Sequence, residues 1–170
     1  MKAILMSIRP QHVANILNGI KTLEIRKRFP SDYVGWVYIY VTKGKPYIKE
    51  CDHFRYIGDY EIANKGYYLN GKVVARFWCD KVEGAYNFYE EELCQLACIT
   101  EEELCEYAGG RYKTDDLLAI HITNLEIFDE PKEISEYKVR RNDCPFPCEI
   151  CNVRYCKLTR APQSWQFIEV

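Results

Sequence analysis

The N-terminal pattern is the clearest in the chain. Residues 3–8 are apolar apart from Ser7, which predicts a first strand, and Arg9-Pro10 ends it. Pro10 suits the first turn of a helix, where its missing N–H costs nothing. Val13, Ala14, Ile16 and Leu17 then recur at helical spacing as far as Asn18-Gly19, a C-terminal stop, so a two-turn helix is predicted. Over 22–28 the period changes to two. Leu23 and Ile25 alternate with Thr22, Glu24 and Arg26, the signature of a half-buried strand whose apolar side chains face a barrel interior and whose polar ones share the other face. A β-branched and aromatic run over 34–42 predicts the next strand, stopped by Lys43-Gly44-Lys45-Pro46.

From 47 to 70 the pattern weakens, with Gly58, Asn64, Gly66 and Asn70 marking loops. Asn70-Gly71 predicts a tight turn into a strand over 73–79. Asn87 and Thr100 each precede a glutamate by three residues, Glu90 and Glu103, the spacing of a capping box, so two short acidic helices are expected. A strand-like stretch over 117–128 and a short one over 164–168 complete the order. Strand, helix, strands, two helices, strands predicts one α+β domain over 1–170: a small, mostly antiparallel β-barrel with a short N-terminal helix and two flanking helices.

Composition narrows the function classes. The chain has 170 residues, 48% of them hydrophobic, enough for one sizeable core. Lys plus Arg (23) nearly cancel Asp plus Glu (25), so a nucleic-acid site must be a local patch rather than a property of the whole surface. Such a patch is foreshadowed before residue 30, where Lys2, Arg9, Lys21, Arg26, Lys27 and Arg28 stand against Glu24. The alternative is a solvated charged face. No signal-peptide pattern and no apolar run of membrane-spanning length occur, so a cytoplasmic protein without a membrane partner is expected.

Lys21 follows a helix stop, and Glu24 and Arg26 project from one strand face, so an ammonium, a carboxylate and a guanidinium can converge. The set can bind a phosphate or an amide-bearing base: Arg26 as a fork, Glu24 as acceptor from an amine, Lys21 as a cation or, if desolvated, a base. The competing structural reading is an ion pair that only closes the barrel.

The run Ser7-Ile8-Arg9-Pro10, followed by Gly19, Lys21, Thr22, Glu24 and Arg26 in the order Gly, any residue, Lys-Thr, any residue, Glu, any residue, Arg, resembles the N-terminal signature of ASCH domains. The resemblance extends more loosely through 71–79, 100–110 and 117–128 to Pro162-Gln163-Ser164-Trp165. It implies a barrel of the type found in pseudouridine synthases and archaeosine transglycosylases (PUA-like), with a cleft that handles RNA or modified nucleosides. Arg9, Lys21, Glu24 and Arg26 are then the ligand-binding candidates. Some small relatives resemble amidohydrolases of acetylated cytidine that use a Lys, a Thr three positions on and a downstream Glu. Lys21 matches the first, but Glu24 stands where the Thr would be, which removes the implied nucleophile. Lys21 and Glu24 remain catalytic candidates for a hydrolase or ribonuclease alternative, with Tyr33, Tyr38 or Tyr40 as a second polar group. A third class is a protein-interaction module presenting the acidic helices.

Nine cysteines without an export signal point away from a disulfide framework. Cys144, Cys148, Cys151 and Cys156 fall close together in a Cys- and Pro-rich excursion at about 140–160. They are candidate ligands of a structural Zn²⁺, with thiols, disulfides or an iron–sulfur cluster as alternatives. No cofactor is required by the rest of the sequence. Cys94 and Cys98 read as apolar packing, Cys51 with His53 as a partial metal pair, and His12 and His121 as ordinary surface or core residues.

Overall fold

The computed structural model describes residues 2–43, 69–140 and 155–170. The chain opens with β1 (Lys2–Ile8), α1 (Pro10–Leu17), β2 (Leu23–Arg26) and β3 (Gly35–Val41). After β4 (Val73–Cys79) and β5 (Val82–Gly84) come α2 (Glu90–Ala97) and α3 (Glu101–Ala108). The order then runs β6 (Leu118–His121), β7 (Thr123–Lys132), β8 (Lys138–Arg140), β9 (Tyr155–Lys157) and β10 (Trp165–Glu169). Among the described residues the architecture is mixed α+β with three α-helices, as expected, but the single small barrel is replaced by two sheets. Seven strands pair in the order β7-β4-β3-β1-β10-β8-β9 without closing, and three more in the order β2-β6-β5. All pairings are antiparallel except β1 with β3.

The parallel pair explains the N-terminal pattern. Two parallel neighbours need a crossover, and α1 with β2 supplies it. β1 is buried on both faces, so it reads as a continuous apolar run rather than an alternation. Ile4, Met6 and Ile8 enter a core shared with Val13, Ile16 and Leu17 of α1, while Ala3 and Leu5 enter another beneath Tyr38, Tyr40 and Tyr137. Gly19 ends the α1 turn at φ +71°, a conformation costly to a residue with a Cβ.

The strand expected over 117–128 is two strands in two sheets. β6 pairs with β2 and β5, and β7 pairs with β4. The break falls at Ile122, whose N–H donates to Thr22 O, and Asn124 just beyond it sits at φ +44°, which Asn tolerates and most residues do not. Leu23 and Ile25 do alternate with Glu24. They pack, however, into the core beneath α2 and α3 with Leu93, Leu104 and Ala119, not into a barrel interior.

Thr100 forms the expected capping box, accepting from Glu103 N–H while its own N–H donates to the Glu103 carboxylate. Asn87 does not cap α2. Tyr89 occupies that position, and Asn87 donates to Glu83 Oε2 at 3.0 Å from a single 3-10 turn. The loop reading over 47–70 covers mostly residues outside the described ones, as do Cys51 with His53 and, in the candidate zinc cluster, Cys144, Cys148 and Cys151. Cys156 lies on β9. Among the described residues no three metal-ligating side chains converge, and no helix is long and apolar enough to cross a membrane.

Candidate functional site

β2 carries the candidate residues into a cleft between the two sheets. The C-terminal end of β1 and the first turn of α1 form one side, α3 forms the other, and the segment before β10 closes it. Lys21 has no room to point outward, being 3% exposed. Its Nζ donates to Ala97 O at 2.6 Å. That carbonyl ends α2, where the last turn leaves acceptors unpaired and the helix dipole is negative, so the ammonium satisfies a need of the helix as well as its own. The strand is pinned at the same place by Thr22 N–H to Leu96 O.

Glu24, 5% exposed, sits between two cations: Lys21 Nζ is 3.4 Å from its Oε2 and an Arg26 guanidinium nitrogen is 3.1 Å from its Oε1. Arg26 also donates to Ser7 O at 2.8 Å, tying the small sheet to the end of β1. Ser7 in turn holds the closing segment, through its hydroxyl to Pro162 O at 2.6 Å and its N–H to Ser164 O at 2.8 Å. The ammonium, carboxylate and guanidinium therefore do converge. Arg9, at the start of α1, lines the same cleft.

Burial works against the Glu24 charge, but Lys21, Arg26 and His12 outweigh it and hold the carboxyl below its ordinary range. His12 is lowered too, but into its uncharged form: burial, then the Lys21 ammonium, takes its pKa below 6.5, so the ring is neutral at physiological pH despite the pull of Glu24 and Glu103. Both shifts imply a folded state that binds fewer protons than the unfolded chain, so stability falls with acidification. His12 acts first, as pH drops below the 6.5 at which the unfolded imidazole takes up its proton. The Glu24 contribution, complete above 4.5, is lost as pH falls through its lower folded value. Melting temperature against pH should therefore decline in two stages, and His12→Gln should flatten the first and, by removing one of the groups that hold Glu24 low, reduce the second to a smaller extent. A His12→Gln curve that still tracks wild type between pH 6.5 and about 5 would remove His12 from the linkage.

Several expectations change in three dimensions. The basic run is not one face, since Lys21 and Arg26 turn inward and Lys2 lies over the Phe167 ring, 3.5 Å from its centroid. Tyr33, Tyr38 and Tyr40 do not line the cleft. Tyr33 hydroxyl donates to Trp36 O, and Tyr38 and Tyr40 are buried on the other face of the large sheet. Thr22 precedes β2 and is exposed, whereas Glu24 is buried. Cys94 is core, but Cys98 ends α2 at φ +51°. His12, read as ordinary, lines the cleft, as do Glu103, Glu106, Tyr107 and Gln163. The helical spacing did put His12 one residue before the buried Val13, at the edge of the apolar face of α1; Gln163 stood in the closing stretch of the resemblance without a role, and nothing local marked Tyr107.

No protein-family profile and no curated protein matches the sequence. Comparison with solved structures does give matches. The crystal structure of an ASCH protein from Zymomonas mobilis aligns with TM-score 0.60 at 16% identity, covering 98% of this chain and 87% of that one. A single-site mutant of the same protein aligns with TM-score 0.60 at 16% identity over 99% of this chain and 91% of that one, and a second mutant with TM-score 0.59 at 15% identity. At such identity the likeness speaks for the fold, and it spans nearly the whole chain. Together with the two sheets and the α1–β2 crossover that carries Gly19, Lys21, Glu24 and Arg26, it gives this chain an ASCH-like fold.

Proposed function

We propose that the cleft binds RNA or a modified nucleoside, with Arg9, Lys21, Glu24 and Arg26 as the ligand-binding residues. The observation that carries this reading is a triad of buried Lys21 and Glu24 with half-buried Arg26, lining a cleft of about 680 Å³, the size of small-molecule sites. A triad that only tied strands together would have no need of open space beside it. A PUA-like fold, without the closed barrel, fits the ASCH-like likeness and belongs to this reading, as does a cytoplasmic setting. The hydrolase or ribonuclease alternative asks Glu24 to act as a general base. A carboxylate held below its ordinary range by Lys21 and Arg26 is a weak one, which favours binding over catalysis.

Fluorescence polarisation with short single-stranded RNA, and calorimetry with nucleosides, test the proposal. Salt-dependent binding of RNA or saturable binding of a nucleoside is expected, weakened at least about tenfold by Arg26→Ala. Flat titrations at low salt for every oligonucleotide and nucleoside would refute it.

A further inference from the structure

Buried polar atoms in folded proteins are almost always hydrogen-bonded, so the exceptions mark places where a partner is expected from outside. Three such atoms with no hydrogen bond among the described residues belong to side chains that line this one cleft: His12 Nδ1, Arg26 Nε and Glu24 Oε2, the last ion-paired with Lys21 Nζ at 3.4 Å. Their demands are complementary. Glu24 Oε2 accepts only, Arg26 Nε–H donates only, and His12 Nδ1 does either according to tautomer. Glu24 is 5% exposed, so bulk solvent does not hydrogen-bond this oxygen, and Lys21 at 3.4 Å supplies it charge rather than a hydrogen bond.

The charge around them limits what can enter. Arg9, Lys21 and Arg26 are matched among the lining residues by Glu24, Glu103 and Glu106, and the His12 ring is neutral. The two innermost cations are already shared by Glu24. A phosphate on the floor would have to break that sharing and face the Glu24 carboxylate. An uncharged heterocycle with an N–H beside a ring nitrogen or carbonyl would instead satisfy Glu24 and Arg26 together. Tyr107, 40% exposed on the α3 side with Lys27 Nζ 5.4 Å from its ring centroid, is an aromatic wall against which such a heterocycle can pack.

We propose that His12 is a ligand-reading residue and that His12 Nδ1, Glu24 Oε2 and Arg26 Nε together take the hydrogen-bonding edge of an uncharged nucleobase, leaving any phosphate outside the cleft floor. This rests on the reading of the cleft as an RNA or nucleoside site, and adds which part of the ligand enters and a residue that reads it.

Calorimetry on the full chain at neutral pH tests it with adenosine, cytidine, guanosine and uridine, their 5′-monophosphates, and ribose 5-phosphate. At least one nucleoside should bind, its monophosphate should bind within about threefold of it, and ribose 5-phosphate should bind at least about tenfold more weakly. His12→Phe should weaken the nucleoside about five- to tenfold, the loss of one buried hydrogen bond, and His12→Asn should recover part of it. The ribose 5-phosphate comparison uses the wild-type chain, so it stands even if a variant folds poorly. Ribose 5-phosphate binding as tightly as the monophosphates, nucleoside affinity unchanged in folded His12→Phe, or RNA binding without any nucleoside binding would each overturn this inference while leaving the cleft an RNA site. Failure of RNA and nucleosides alike would instead refute the cleft reading itself.

Discussion

Replacing Glu24 by alanine should destabilise the fold by about 3–5 kcal/mol, the cost of leaving buried charge without its counter-ion. Lys21 stays 3% exposed, so it does not reach water without moving β2 or the end of α2, and Arg26 stays bonded to Ser7 O with only its 13% exposed part on the cleft. For a chain of this length that corresponds to a fall in melting temperature of roughly 10 °C or more. Glu24→Gln should cost less, because an amide still accepts from Arg26. A double-mutant cycle of Lys21→Met with Glu24→Gln should show coupling above about 1 kcal/mol. Thermal melts of Glu24→Ala within about two degrees of wild type would mean that the triad is hydrated like a surface ion pair, whose median value is about 0–1 kcal/mol. The same substitution should abolish ligand binding, since it removes the carboxylate that would accept from the ligand and leaves the Lys21 and Arg26 charges unbalanced on the cleft floor.

Leu104→Ala should cost about 2–5 kcal/mol, the range for emptying a fully buried leucine site. Leu104 is 0% exposed and packs with Leu23, Ile25, Leu93 and Leu117 in the core beneath α2 and α3. The effect should be local as well as large. That core is separate from the one under α1, which holds Ile4, Met6, Ile39 and Phe77. Hydrogen exchange in Leu104→Ala should therefore rise most in α2, α3 and β2 and least in β1, β3 and β4. Ligand affinity should drop with it, because α3 carries Glu103, Glu106 and Tyr107 on the cleft wall. Exchange that rises evenly over both sheets would show that the two cores open as one unit.

Much of the N-terminal third was legible from local signals alone. The Pro10 start, the Asn18-Gly19 stop and the switch from helical to period-2 spacing at Thr22 are each short-range, and the structure follows all three. The Thr100 capping box also held, because both partners lie within one turn. Its twin at Asn87 failed for the same local reason. The Glu83 carboxylate, four residues back on β5, took the Asn87 amide, and the helix began two residues later than the box required.

The candidate site divides along the same line. Sequence spacing by itself determined that Lys21, Glu24 and Arg26 would meet, since parity puts Glu24 and Arg26 on one face and the Gly19 turn delivers Lys21 beside them. It could not determine that Lys21 and Glu24 would be buried and Arg26 half-buried. Their burial depends on Ala97 O, 76 residues away, and on Ser7 O, 19 residues back in the neighbouring sheet. Only the tertiary structure decided that one apolar run would split at Ile122 between two sheets, that β2 would join the smaller one, and that His12, Tyr107 and Gln163 would share a cleft with it. The physical reason is that strand partners and cleft walls are chosen by contacts between distant segments, for which a single sequence carries periodicity but no address.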